Sequence, residues 1–305
     1  MTGVVVTGAA GFLGSHVADL LEVRGYQVVR SDIFQPPDAK GDWKLADLRR
    51  FGDLVELTRK ADVVCHIGGI GDVYLAEADP KQAMEVNGLG TANFVEAARR
   101  NGVSRFVYAS TWEVYGKPKY EPMDENHPCW PGHPYSISKL AGDLFTQSAH
   151  SVPGLSTVVL RLGTAYGPRM RENAVIPAFI LRALRGLPLE IRGTGEQFRQ
   201  FTHASDIAAA FVKAISLTDS PLVFNIVSPE WTSIRKVASI VAELVPSQVV
   251  FRERRQGDPP PAMVSSRLAE SALGWKPQIS FQEGLQSLVE YFRQSFADQI
   301  EATES

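Results

Sequence analysis

The stretch Val4-Val-Val-Thr-Gly-Ala-Ala-Gly-Phe-Leu-Gly14 decides the fold. A β-branched run ends on three glycines, Gly8, Gly11 and Gly14, set three residues apart. Apolar Leu13, Val17, Leu20 and Leu21 then repeat at the 3.6-residue spacing of a half-buried helix, and Gly25 suits its C-terminal end. Glycines at a strand-to-helix turn let the backbone approach a pyrophosphate closely. The helix N-terminus supplies unpaired N–H groups and a partial positive charge to the same anion. The motif alone also suits a tight turn packed on its helix. Its position after a strand and before an amphipathic helix makes a dinucleotide site the better reading.

Outward from this turn, short β-branched runs alternate with helical patterns. Residues 4–7, 27–30, 63–67, 105–109 and 157–162 read as buried strands, and 12–24, 49–59, 80–100 and 137–150 as helices. Such alternation predicts a parallel sheet covered on both faces. After Arg161 the pattern loosens, punctuated by Gly167, Pro168, Pro177, Gly186, Pro188, Gly193 and Gly195. A helix over 205–217, a strand over 223–227 and helices over 233–244 and 281–296 follow. The expected architecture is α/β: a Rossmann-type doubly wound parallel sheet with a smaller, mostly C-terminal α/β substrate-binding lobe. The sheet unit takes 1–165 plus 201–227, and the lobe 166–200 and 228–305.

The second strand leads to Asp32, whose carboxylate suits the ribose hydroxyls of an adenosine and repels a 2′-phosphate. NAD is therefore expected over NADP, although a solvated loop acid reads the same way. Asp47 fits a place beside the adenine and fits an ordinary turn nearly as well.

Tyr-x-x-x-Lys occurs twice, at Tyr115–Lys119 and Tyr135–Lys139. Pro118 breaks the first, whereas the second runs into a helical pattern that puts both side chains on one face. A phenol titrating near ~10 must be lowered by roughly 3 units, about 4 kcal/mol, to act as a general base near neutrality. Lys139 and a positive nicotinamide ring together are expected to do this. Thr111, with Ser110 beside it, follows the strand 105–109, where open α/β sheets gather their ligands. A hydroxyl satisfying a turn is the alternative.

The 305-residue chain has 44% hydrophobic and 21% charged residues and a net charge of −3. That balance gives no electrostatic case for nucleic acid. Cys65 and Cys129 show no metal spacing, and no apolar run approaches bilayer length. Met1 runs into a strand without a basic leader, so a cytoplasmic protein is expected.

These residues resemble the extended short-chain dehydrogenase/reductase family, in particular its nucleotide-sugar epimerases and dehydratases. The likeness covers almost the whole chain. It includes the glycine turn, Asp32, Asn87-Gly-Leu-Gly-Thr91, Ser110-Thr-Trp-Glu-Val-Tyr-Gly116, Tyr135-Ser-Ile-Ser-Lys139 and Arg161-Leu-Gly-Thr-Ala-Tyr-Gly-Pro168. It continues through Gly193-Thr-Gly-Glu-Gln-Phe-Arg199, Asp206 and Arg255-Gln-Gly-Asp258. The resemblance implies catalysis by Tyr135, Lys139 and Thr111, with Glu113 as a further candidate. It implies NAD held by Gly8, Gly11, Phe12, Leu13, Gly14, Asp32, Asp47, Leu48, Ile67, Gly68, Gly69 and Asn87, beside the Tyr–Lys pair. It implies a nucleotide-diphosphate sugar, UDP- or dTDP-linked, held by Thr111, Trp112, Thr164, Arg199, Arg255 and Asp258. Guanidinium forks suit the phosphate oxygens. The implied reaction begins with oxidation of a sugar hydroxyl, usually at C4. Family members are commonly dimers packed through helices of the cofactor domain, so a homodimer is expected.

The chain also departs from the family. A 4,6-dehydratase usually carries Asp-Glu after its threonine, where this chain has Trp112-Glu113. An indole cannot protonate a leaving hydroxyl, so ordinary 4,6-dehydration is disfavoured; many 4-epimerases have small residues at these positions, so Trp112 departs from them too. Glu113 resembles the glutamate of the sugar-nucleotide decarboxylases, and equally suits a base for another elimination or a structural hydrogen-bonding carboxylate. His66-Ile-Gly-Gly69 replaces frequent alanines, and Thr164 stands where an asparagine often meets substrate. The leading expectation is a 4-epimerase working through a transient 4-keto sugar. A dehydratase or decarboxylase comes second, and a non-catalytic NAD-binding protein third.

Overall fold

The computed structural model describes residues 2–151, 153–217, 222–253 and 262–304. Seven strands form one parallel sheet: β1 (Gly3–Thr7), β2 (Gln27–Asp32), β3 (Asp42–Leu45), β4 (Val63–His66), β5 (Arg105–Thr111), β6 (Ser156–Leu162) and, late in the chain, Val223–Ile226. Three small two-stranded pairs use β7 (Thr164–Tyr166) with β10 (Phe201–His203), β8 (Leu189–Arg192) with β13 (Val249–Arg252), and β9 (Phe198–Arg199) with β12 (Thr232–Ser233). The Val223–Ile226 strand is then β11, and the sheet order is β11-β6-β5-β4-β1-β2-β3. The chain reverses direction across the sheet between β1 and β4, so their carboxyl ends open the crevice where such sheets bind ligands.

Side-chain alternation explains why both faces are covered. Val4, Val6, Val63, Cys65, Val107, Ala109, Val158 and Leu160 enter one core cluster. Val5, Val64, Phe106, Tyr108 and Val159, which fall between them, enter the opposite one. Successive strand residues point to opposite faces, so a continuous apolar run needs helices on both sides. Helices α1 (Phe12–Val23), α2 (Phe51–Thr58), α3 (Val73–Ala78), α4 (Pro80–Ala83), α5 (Gly90–Arg100) and α6 (Pro134–Ala149) precede the lobe. Helices α7 (Val175–Leu184), α8 (Ala204–Ile215), α9 (Ile234–Leu244), α10 (Arg267–Ala272) and α11 (Phe281–Glu304) follow.

The lobe has its own core, with Ile176, Phe179 and Ile180 of α7, Val237 and Val241 of α9, and Leu285, Leu288 and Phe292 of α11. Ile207, Ala210 and Phe211 of α8 return to the sheet unit, as do Ala269, Leu273 and Trp275.

Four local differences from the expected elements have physical reasons. The single helix expected over 80–100 is divided into α4, a π-helical turn Met84–Leu89, and α5. The widened turn, a feature common at functional sites, lets Asn87 reach Ile70 and Ser138. Helix α6 begins at Pro134 rather than 137, because proline at the first helical position lacks only an N–H the helix does not need. Helix α7 was not expected, since Pro177 reads as a breaker; it lies in the first turn, where proline is tolerated. Strand β3, Asp42-Trp-Lys-Leu45, lacks β-branched residues and forms the sheet edge.

Candidate active site

The glycine turn is a close fit of backbone on backbone. Gly8 has φ +69, and a Cβ on it would stand 2.8 Å from the Cα of Gly68. A Cβ on Gly14 would stand 2.0 Å from the Gly8 carbonyl oxygen. The ends of β1 and β4 therefore meet as bare backbone, and Gly68-Gly69 preserves that approach. Gly11 caps α1 without a side-chain hydrogen bond, and Phe12, Leu13 and Gly14 form its first turn. The Phe12 side chain packs towards the lobe core and Leu13 towards the sheet core.

Asp32 accepts hydrogen bonds from the backbone N–H of Ala10 at 3.1 Å and of Ile33 at 2.8 Å. Burial raises its carboxyl above the usual value against those two donors. Asp32 lines a cleft of about 210 Å³ with Gly8, Asp47, Leu48, Gly68 and Gly69. Asp47 is gripped on both oxygens by Arg49, at 2.9 and 2.6 Å. The bare-backbone cradle, the helix start and the ribose-type carboxylate fit a dinucleotide.

A buried polar strut braces this turn. The Thr7 hydroxyl accepts the N–H groups of Ile67 and Gly68 and lies 2.8 Å from His66 Nδ1. His66 Nε2 lies 3.0 Å from the Thr91 hydroxyl, which donates to the Asn87 carbonyl at 2.6 Å. Thr91 has its proton committed, so His66 carries its own on Nε2 and accepts from Thr7 at Nδ1. Burial, and secondarily the Lys139 cation, hold His66 far below its ordinary pKa. Asn87 spends its side chain on Ile70 and on Ser138 of α6, so it anchors the loop after β4. In the sequence His66 stands out only as a departure beside Gly68 and Gly69, and Thr91 only as the end of a motif, because their partners are distant in the chain.

Tyr135 and Lys139 stand one turn apart on α6. The Tyr135 phenol faces the Thr111 hydroxyl at the end of β5, which also accepts the Glu113 N–H at 3.3 Å. Burial pushes that phenol well above its ordinary value, Glu113 adds to the rise, and Thr111 and Arg171 oppose it. Lys139 is 6% exposed. Burial pulls its ammonium down to about 7, with Asp143 opposing. Its Nζ sits 4.4 Å from the centroid of the Tyr108 ring. The expected lowering of the phenol by Lys139 is thus not a property of this protein alone. Both groups are desolvated, and each resists its charged form.

Glu113 meets a partner absent from the sequence reading. His133 Nε2 lies 2.8 Å from Glu113 Oε2. On α6 itself, Asp143 accepts from Ser110 at 2.7 Å and from Arg161 at 3.0 Å. Arg161 also donates to the Tyr115 hydroxyl at 3.0 Å. Arg171 pairs with Asp72, the residue that caps α3.

Three of the expected substrate residues converge. Trp112, Thr164 and Arg199 line one pocket with Phe198, Gln200, Val227 and Val264. Gln200 is fixed there by Ser228 and Val264. Asp206 instead ties α8 to the backbone of Gln278 and Ile279. Arg255 and Asp258 lie outside the described residues.

Comparison with known proteins agrees with this geometry. The sequence model of the NAD dependent epimerase/dehydratase family matches residues 4–227. The UDP-glucose 4-epimerase of Mycolicibacterium smegmatis is 31% identical over 306 residues, covering 95% of this chain and 98% of its own. UDP-glucuronic acid decarboxylase 1 of Xenopus tropicalis is also 31% identical, over 97% of this chain and 73% of its own. The crystal structure of Thermus thermophilus UDP-glucose 4-epimerase in complex with NAD superposes with a TM-score of 0.85 at 32% identity, covering 96% of this chain and 99% of that one. The chain belongs to the NAD dependent epimerase/dehydratase family, whose cofactor suits the cradle between Gly8, Asp32 and Gly68.

Proposed function

We propose that this enzyme is a nucleotide-sugar 4-epimerase acting on a UDP- or dTDP-linked sugar through a transient 4-keto intermediate. The observation that carries the proposal is the convergence of Thr111, at the end of β5, on the Tyr135 phenol, with Lys139 one turn along the same helix. In this reading Tyr135 takes the proton of the sugar C4 hydroxyl, Thr111 orients that oxygen, and Lys139 stabilises the phenolate. NAD, when bound, supplies the acceptor and donor of the C4 hydride. Gly8, Gly14 and Gly68 leave room for its diphosphate, and Asp32 holds its ribose.

Trp112 argues against 4,6-dehydration. It lines the pocket shared with Thr164 and Arg199, and its indole has no acid strength to protonate a leaving hydroxyl. Arg199 grips the nucleotide in this proposal, with Thr164 beside it. One observation favours a second reading. Glu113 is close enough to Tyr135 to raise its phenol, so a carboxylate faces the reacting end of the site. A decarboxylase or dehydratase would use it as a base on the same keto sugar.

A homodimer is part of the proposal. Ile137, Leu144 and Phe145 of α6 are exposed, as are Met84 and Leu89 of the π-helical turn packed beside it. Among the described residues no helix is long and apolar enough to cross a membrane, and work in the cytoplasm is proposed.

The test is a panel of UDP-, dTDP-, GDP- and CDP-sugars incubated with the NAD-loaded protein, with products identified by NMR. A C4 epimer supports the first reading. Loss of water or carbon dioxide replaces it with the second.

A further inference from the structure

The turn Trp112–Tyr115 after β5 carries Glu113 to the start of α6, where His133 occupies the capping position. Pro134 follows, and the residue before a proline is restricted to extended backbone. His133 accordingly has φ −145 and ψ 160. Its side chain makes no capping hydrogen bond. Instead its ring lies nearly parallel to that of Tyr135, at 12° with centroids 6.0 Å apart, and its Nε2 reaches Glu113 Oε2 at 2.8 Å.

The other ring nitrogen fixes the tautomer. His133 Nδ1 is buried and has no hydrogen-bond partner. A proton there would be a buried donor without an acceptor, at a cost of about 1–3 kcal/mol. A bare lone pair costs less. The ring therefore carries its proton on Nε2 and gives it to Glu113.

We propose that His133 is a positioning residue that clamps the Glu113 carboxylate and draws part of its negative charge away from the Tyr135 phenol. The proposal deepens the reading of Tyr135 as the general base and rests on it for its kinetic consequence. The charged and titratable groups around that phenol are few. Glu113 faces it from the turn after β5, Tyr108 from β5 itself, and Arg171 from the segment before α7. Lys139 lies one turn along its own helix. Arg171 is already committed to Asp72. Burial is the largest cause of the raised phenol, and Glu113 adds to it against Thr111 and Arg171, so whatever holds Glu113 alters that balance.

Two measurements on the NAD-loaded protein test the clamp, and neither requires a known substrate. Correlation of the His133 ring nitrogens with their protons by NMR is expected to show the proton on Nε2 in the wild type. A proton on Nδ1 in place of Nε2 overturns the proposal. Titration of Tyr135 is followed by Cζ-labelled tyrosine, with its resonance assigned through Tyr135→Phe. Phenylalanine at 133 keeps the ring stack and loses the donor, so His133→Phe is expected to raise the Tyr135 midpoint by about 0.5 pH unit or more. Glu113→Gln is expected to lower it, and the double variant should match Glu113→Gln alone. His133→Gln, which can still donate to Glu113, should return the midpoint towards wild type. An unchanged midpoint in His133→Phe, or a shift that persists without the Glu113 carboxylate, overturns the clamp. Failure to turn over any nucleotide sugar would instead count against the proposed activity and leave this titration intact.

Discussion

Arg161 on β6 donates its Nε to Asp143 on α6 at 3.0 Å, with the two side chains only 5% and 0% exposed. Asp143 lies one turn after Lys139 and also receives the Ser110 hydroxyl. The ion pair ties α6 to β6, and the Ser110 hydroxyl ties it to β5, the strand that ends on Thr111. Removing one member leaves the other charged and buried. Arg161→Met is expected to cost about 3–5 kcal/mol in urea unfolding, and adding Asp143→Leu should recover most of that loss. A loss below about 1 kcal/mol in the single variant would contradict a buried pair.

The glycine turn makes a steric prediction with an internal control. A Cβ at Gly14 would overlap the Gly8 carbonyl at 2.0 Å, whereas a Cβ at Gly52 meets nothing within 4 Å. Gly14→Ala should lower the melting temperature and weaken NAD binding by roughly tenfold or more, because the turn must open to admit the methyl. Gly52→Ala, in helix α2, should leave both unchanged or slightly stabilise the fold. Thermal melts and calorimetric titration compare them. Equal effects at the two positions would count against the close approach.

Asp32 gives a cofactor prediction. Its carboxylate lines the cleft and holds the turn through Ala10 and Ile33. Asp32→Ala should weaken NAD far more than NADP, since the substitution removes both a ribose acceptor and a repulsion against the 2′-phosphate. Equal losses for the two dinucleotides would remove the ribose assignment.

Lys139 makes ligand-free stability depend on pH. Its folded pKa of about 7 lies below the ordinary 10.5. Between those values the unfolded chain binds more protons than the folded one, so this group makes stability rise with pH. Below about 7 the protein bears the full cost of a buried ammonium, roughly 3–5 kcal/mol. Lys139→Met should therefore stabilise the ligand-free protein most at pH values under 7, and the gain should shrink as pH approaches 10.5. A gain independent of pH would point to simple packing.

Much of the fold is legible because its signals are local. The run Val4–Val6, the glycines that follow and the stripe through Leu21 all lie within one strand–turn–helix unit. Tyr135 and Lys139 are legible for the same reason, since a four-residue spacing on a helix is a geometric fact. What was hidden depends on partners far apart in sequence. His66 is joined to Thr7 and Thr91, and Asp143 to Arg161, only after the sheet forms. Pro177 concealed α7 because a proline near a helix start looks the same in sequence as one that ends a helix. His133 had a usable signal: a histidine directly before Pro134-Tyr135 has its backbone restricted beside the candidate phenol. Only the fold, however, brings Glu113 within its reach.

Tyr135→Phe keeps the ring and removes the ionisable proton. It should lower kcat by about 10²–10⁴-fold with NAD binding nearly unchanged. Full activity in this variant would falsify the role assigned to the phenol.

The most direct test of the central claim follows a deuterium at C4 of the nucleotide sugar. An epimerase returns to C4 the hydrogen that it removed there. The expected product is inverted at C4, with deuterium retained there and no loss of water or carbon dioxide. Product with deuterium lost from C4, or an inverted centre elsewhere on a sugar whose C4–D bond was never broken, would contradict the epimerase reading.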